Sequence, residues 1–465
     1  MIIDRVVQRI LSSEVYRKFS ASSIAKRLAH GSVWSLSGAV GARVLMLLAM
    51  ILVARRLGQV SFGELGLIQA TLGVAGLMAG VGLGSTATRF VAQHSRTDPG
   101  RAGRVVALVT TASGATILLA AVVIVAASGV LAAVILEAPH LQSALRLGSL
   151  LMVATALRGI QSGVFAGLER FDTNAKLNLL EGLFSCVAVV PLASAYGVLG
   201  VLVALASSSL VVWLVGTLVL GRELAQRGIA LDYRNCWADW RILTSYSLPT
   251  FLAHLVATPV LWLAMTLVAR SDAGLGGLGL YNAAYQWHGP MVFIPMVLMS
   301  VSIPTLVQEW EAGRRKRFRQ VTFWISALML AVSVPPVLVA SLLSPSIMAL
   351  YGPSFRDGWM LMVLLLAAAP LHGLAKIASS ALYGMNRAWW VLGVNLVWGA
   401  TILALTAWFL PSLGTLALAL GFLVAYGVLA ALAYGLVLMA ANGMALPKQA
   451  KQYDGDAAYV KHWLP

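Results

Sequence analysis

The chain has 465 residues, 59% of them hydrophobic and 11% charged, with mean hydropathy +0.84 and a formal net charge of +16. Soluble domains carry about 25% charged residues, so a chain this apolar has no surface to offer water, and the bilayer is its solvent. No stretch is long and polar enough to build a basic soluble face, which excludes a nucleic-acid partner and leaves membrane topology as the source of the charge.

In chain order, residues 1–30 form a basic cytoplasmic segment. In it Ile2, Ile3, Val6, Val7, Ile10 and Leu11 recur at helical spacing among Arg5, Arg9, Arg17 and Lys18, the pattern of an amphipathic helix lying on the membrane surface. Six apolar runs follow, near 32–54, 65–88, 105–127, 145–167, 178–197 and 199–220, the fifth and sixth divided only by Gly197 to Leu199. Each approaches the roughly 20 residues that about 30 Å of hydrocarbon requires. A polar linker, 221–242, carries Arg222, Arg227, Arg234 and Arg241. Six more runs lie near 246–269, 283–307, 320–343, 360–384, 389–410 and 413–440, before a tail at 443–465. The expected fold is an all-α membrane protein of twelve transmembrane helices, with an N-lobe at 31–220 and a C-lobe at 243–442.

Charge sets the orientation. With both termini cytoplasmic, the inside segments hold 25 of the 33 Lys and Arg, the outside loops hold four (Arg55, Arg56, Arg270, Arg356), and the spans hold four (Arg43, Arg146, Arg158, Lys376). This is the positive-inside bias, and one missed span would scramble it.

The halves repeat. Gly167, Glu169, Arg170, Asn178 and Gly182 match Gly384, Asn386, Arg387, Asn395 and Gly399 at an offset of 217, while Ala54-Arg55 matches Ala269-Arg270 at 215 and Gly63 matches Gly279 at 216. Six spans per copy give both copies the same orientation, so the lobes are expected to be related by a pseudo-two-fold along the membrane normal, with substrate between them near the midplane.

No phosphate-binding G-x-x-x-x-G-K-[ST], H-E-x-x-H, G-x-S-x-G or C-x-x-C is present, and Cys186 and Cys236 offer neither a disulfide framework nor metal-ligand spacing. No cofactor, metal or catalytic residue is expected, and the outside loops leave no room for an extracytoplasmic catalytic domain.

Ala54-Arg55-Arg56-Leu57-Gly58 followed by Phe62-Gly63 resembles the A-R-x-L-G-x-x-x-[FY]-G signature of bacterial polysaccharide transporters. These are the O-antigen and exopolysaccharide flippases of the multidrug/oligosaccharidyl-lipid/polysaccharide exporter superfamily. The resemblance continues at Gly82-Leu83-Gly84, Gly279-Leu280-Tyr281, Pro304, Leu350-Tyr351-Gly352, Phe355 and Gly384 to Arg387, covering most of 31–440. Members often carry an acidic residue early in the seventh span, and here 246–268 has none. The resemblance implies alternating access and outward transfer of an undecaprenyl-pyrophosphate-linked oligosaccharide across the inner membrane. That role serves O-antigen, capsule or exopolysaccharide synthesis, beside a polysaccharide polymerase.

An ionisable side chain at mid-membrane costs about 2.5–3.5 kcal/mol or more and must face protein or water. Arg43 lies about 18 Å below Arg55 by helical rise. Arg158 and Lys376 lie at similar depth, one residue from exact repeat equivalence. Arg43, Arg158 and Lys376, with Arg146 nearer a helix end and Arg270 at the outer end of span seven, are candidates for a cationic lumen that holds a diphosphate. The competing reading is that each snorkels or pairs, with Glu181 a partner for Arg158 or Arg146. His254 and Glu181 are candidates for polar or coupling roles, with a proton, sodium or the membrane potential as driving force. Pro249, Pro259, Pro290, Pro295 and Pro304 fit either a flexing gate or static kinks. The Gly76, Gly80, Gly84 face is explained by close helix packing, and Trp389, Trp390 and Tyr351 read as interfacial anchors. The rival function, a cation-coupled drug or small-molecule antiporter of the same fold, needs a buried carboxylate, for which only Glu181 qualifies clearly and Glu64 at a boundary.

Overall fold

The computed structural model describes residues 23–442 except 81, 248–250, 252–254 and 386. The expected N-terminal surface helix and the tail therefore lie almost wholly outside the described residues. Within the described residues the chain is helical and has no strand, as a lipid-facing backbone must be when it satisfies every amide internally.

Helix α1, Ser23–Gly80, turns at Gly58 (φ 77°, ψ 176°) and so holds two spans. Helix α2, Leu83–His94, continues the second span after a left-handed Gly82. Helix α3, Pro99–Val130, starts where the Asp98 side chain accepts from the Arg101 amide with proline at the first turn, and it closes in a π turn, Leu131–Ile135. Helix α4 spans Gln142–Gly167, and α5, Phe171–Gln226, turns at Gly197 between spans five and six. The C-lobe comprises α6 (Ala257–Ala269), α7 (Gly274–Tyr285), α8 (His288–Glu311), α9 (Arg315–Leu342), α10 (Ser344–Leu350), α11 (Trp359–Gly384), α12 (Ala388–Leu413) and α13 (Leu416–Ala441).

Eight helical stretches among the described residues are long and apolar enough to cross a membrane. Two of these, 43–94 and 171–226, fold back at their glycine turns and count twice. The shorter α6 and the α7–α8 pair supply spans seven and eight, so the architecture is twelve spans in two lobes. Helix α8 stays helical through Pro295 and Pro304; the eighth span breaks earlier, at Gln286 and Trp287.

The repeat is visible in the backbone. Gly197 (φ 60°, ψ −138°) and Gly414 (φ 53°, ψ −135°), 217 residues apart, adopt one conformation. Gly58 and Gly274 are both left-handed at an offset of 216. Repeat-equivalent residues also touch each other, which happens only on the axis relating the copies. The Gln59 side chain donates to the Gly276 carbonyl at 2.9 Å. A Cβ on Gly63 would lie 2.9 Å from the Gly279 nitrogen, and one on Gly279 would lie 3.3 Å from the Gly63 nitrogen.

This contact closes the lobes at the end of the bundle opposite the linker, called here the far end. Phe62 packs edge-on against Phe355 and tilted against Tyr351, and Trp262 donates to Thr71 at 2.9 Å. Tyr351 is fully buried there, accepting from Trp287 and donating to Gln286. The expectation of an interfacial anchor is thus corrected for Tyr351, since its phenol finds partners inside the protein. The linker docks on the N-lobe: Asp239 pairs with Arg101 and Arg104 at 3.2 and 3.3 Å, and Cys236 is buried against Ala107 and Leu108.

Candidate functional site

Arg158 sits on α4 with 5% of its side chain exposed, inside the N-lobe. Its three nitrogens are all committed: Nε to Glu181 at 3.4 Å, Nη1 to Gln161 at 3.1 Å and Nη2 to Asn178 at 2.9 Å. Gln161 passes the network on to the Trp213 carbonyl and the Thr217 hydroxyl. Gly216 makes room, since a Cβ there would lie 2.2 Å from Gln161 Oε1. The guanidinium is thus paired with a carboxylate and hydrogen-bonded through each of its three nitrogens, as a buried charge requires.

The other candidates separate from it. Arg43, exposed on α1, reaches across to the C-lobe and lies over the Phe293 ring at 3.9 Å from its centroid, a cation–π contact between lobes. Lys376, also exposed, lies on α11. Neither Arg43 nor Lys376 forms an ion pair among the described residues. Arg146 turns to α3, where Nε donates to Ser128 at 3.0 Å. Arg270 pairs with Glu137 across the far-end contact. His254 lies outside the described residues. The structure therefore brings Arg158 and Glu181 together and leaves Arg43 and Lys376 as separate cations on opposite lobes.

Between α1 and α4 lies a cavity of about 360 Å³, lined by Gln69, Leu72, Gly73, Gly76, Leu151, Met152, Thr155 and Ala156. A Cβ on Gly73, in its wall, would lie 4.0 Å from the Thr258 methyl group of the C-lobe. The three-glycine face divides here. Gly76 lines the cavity and Gly80 meets open space, while Gly84 packs on Gly159 and Gly163. Close packing accounts for Gly84 alone.

Sequence reasoning missed a polar cluster in the C-lobe. His288 and His372 stack with Nε2 and Nδ1 3.2 Å apart, and His288 Nδ1 lies 2.9 Å from the Leu365 carbonyl. Tyr426 stacks on His372 with centroids 4.2 Å apart, and Tyr285 stacks on His288. A signal was present: His372 precedes Lys376 by one helical turn.

Comparison with known proteins agrees with this architecture. The family model described as polysaccharide biosynthesis protein matches residues 28–310. The chain belongs to that family. The EPS I polysaccharide export inner membrane protein EpsE of Ralstonia nicotianae is 26% identical over 77% of this chain and 81% of its own length. Among solved structures, an inward-facing multidrug resistance MATE family transporter of the MOP superfamily superposes with a TM-score of 0.72 at 15% identity, over 86% of this chain and 95% of its own. The lipid II flippase MurJ, in an inward closed conformation, superposes at 0.69 with 14% identity, over 87% of each chain. At such identities these structural likenesses speak for the shared two-lobe, twelve-helix fold.

Proposed function

We propose that this protein is a flippase, carrying undecaprenyl-pyrophosphate-linked oligosaccharide across the bacterial inner membrane for polysaccharide export and performing no chemistry on it. The observation that carries the reading is the pair Arg43 and Lys376: two in-membrane cations, one from each lobe, with no carboxylate on either among the described residues. Uncompensated positive charge at that depth is costly unless an anion arrives. A diphosphate is such an anion, gripped by arginine's fork and by lysine's point charge, and the attraction strengthens where water is scarce. The relationship to a polysaccharide export inner membrane protein and the fold shared with a lipid II flippase support the same reading.

With the linker end in the cytoplasm, as the basic loops favour, the closed far end faces outward. The lobes then take their cargo from the inner leaflet and rock about the Gly63–Gly279 contact to release it outside, where a polymerase uses it. Arg158 acts in this scheme by holding α4 to α5 rather than by touching cargo. The antiporter reading loses ground because Glu181, its carboxylate, is committed to Arg158.

The test is reconstitution into vesicles with a fluorescent polyprenyl-diphosphate oligosaccharide. Arg43→Ala and Lys376→Ala are expected to slow translocation at least about tenfold each, the equivalent of one lost charge-assisted contact of about 1.4 kcal/mol. Unchanged rates in both variants would overturn the mechanism.

A further inference from the structure

The two lobes differ at one equivalent place. Leu72 and Thr155 line the N-lobe cavity, with Gln69 beside them. The repeat offsets of 216 and 217 carry these positions to His288, His372 and Tyr285. Where the N-lobe holds space, the C-lobe holds two imidazoles in contact, roofed by Tyr426 and Tyr285. The lobes differ in charge balance as well. Glu181, which neutralises Arg158, corresponds to Trp398, and Lys376, one helical turn from His372, forms no ion pair among the described residues. Among the described residues, the ionisable groups around the pair are Tyr285 and Tyr281 from α7, Tyr426 from α13 and Lys376 from α11. Among the described residues, no carboxylate forms an ion pair with either ring.

The hydrogen-bond chemistry of the pair is specific. A carbonyl accepts only, so His288 Nδ1 carries a proton toward Leu365 and, in the neutral ring, Nε2 is left as acceptor. His372 Nδ1–H then donates to it. One further proton can join without breaking this line: His288 becomes the cation, with Nε2–H donating to a now bare His372 Nδ1, and His372 carries its hydrogen on Nε2. Two protons would set N–H against N–H. The pair is therefore built to accept one proton and no more. A hard metal cation is not matched, because it needs several oxygen ligands.

We propose that His288 and His372 form a one-proton binding site in the C-lobe that couples proton uptake to anion binding beside Lys376. An imidazolium buried among aromatic rings, with Lys376 one turn away, is unfavourable until negative charge enters the space between the lobes. Anion binding thus promotes proton uptake and the proton tightens the anion, as linkage requires. The coupling half rests on the flippase reading, whereas the proton site itself does not.

The experiment uses the full chain in nanodiscs with ¹⁵N-labelled histidine. Nitrogen shifts are followed from about pH 8 to pH 5, with and without farnesyl diphosphate as the anionic probe, for the parent, His288→Gln and His372→Gln. The expected result is a strongly deshielded shared proton that is lost in either variant. It titrates as a single step, at higher pH when the diphosphate is present. Both rings neutral to about pH 5 in both conditions, or two independent titrations, would overturn the site. A one-step titration that the diphosphate does not shift would keep the proton site and overturn the coupling. If instead vesicle translocation fails while the titration appears as described, the flippase reading falls and the proton site stands.

Discussion

Gly63 and Gly279 face each other across the axis relating the two lobes, so near that a methyl group on Gly63 would fall 1.8 Å from the Leu275 carbonyl oxygen. Neither glycine needs an unusual backbone conformation; each is required by proximity. Gly66 likewise meets its own repeat equivalent, Asn282, since a methyl group on Gly66 would fall 1.7 Å from the Asn282 side-chain nitrogen. Two repeat-related strips of chain thus form one contact, and it is the contact that has to open if the far end is ever to release cargo.

Gly63→Ala is expected to push the far ends apart. Overpacking costs about 1–3 kcal/mol, which multiplies the far-end-open population about five- to 150-fold. Distances between spin labels at the far ends of both lobes measure this directly. An unchanged distance distribution with unchanged stability would show that the contact absorbs a methyl group without moving.

Arg270 and Glu137 bridge the lobes nearby, with 44% and 51% of their side chains exposed. Exposed pairs contribute about 0–1 kcal/mol and are screened by salt. Arg270→Gln should therefore shift the same distance distribution only slightly, with the difference fading at high ionic strength. A large loss of transport that persists in high salt would instead assign Arg270 to cargo binding.

At the linker end, Glu309 accepts from Arg314 at 2.6 Å and lies 3.4 Å from Arg317. The hydrogen bond from Arg314 foremost, then the charges of Arg314 and Arg317, hold its carboxyl below the ordinary carboxylate range. A depressed folded-state value contributes stability above the unfolded-state value, and that contribution is lost as pH falls through the folded one. The melting temperature of Glu309→Gln should lie below that of the parent at neutral pH, and the gap should close as the pH drops below the carboxylate range. A gap that stays constant with pH would show that the charge is not what matters.

Hydropathy and loop charge made the twelve spans legible, and the φ > 0 turn at Gly197 falls where only three residues divided the runs. The relation of the lobes was legible because copied glycines keep their offset. The site was less so. Periodicity places Arg158 at mid-depth but is silent on which way it points, so a cation locked to Glu181, Gln161 and Asn178 looked equal to the exposed Arg43 and Lys376. The His288–His372 contact joins residues 84 apart on different helices, and helical spacing carries no information about such pairs.

The Arg158 network separates a structural cation from a cargo-binding one. Removing one partner of a buried pair leaves the other uncompensated, at about 3–5 kcal/mol, whereas replacing both with apolar groups is often neutral. Glu181 is 29% exposed, so water offsets part of that cost and the lower end is expected. Glu181→Leu and Arg158→Leu should each lower thermal stability clearly, and the double variant should recover much of the loss. Translocation, compared among the folded variants, should return with stability in the double variant. If the double variant is as stable as the parent yet transports nothing, Arg158 touches the diphosphate after all, and the cationic path runs through the N-lobe network as well as over its surface.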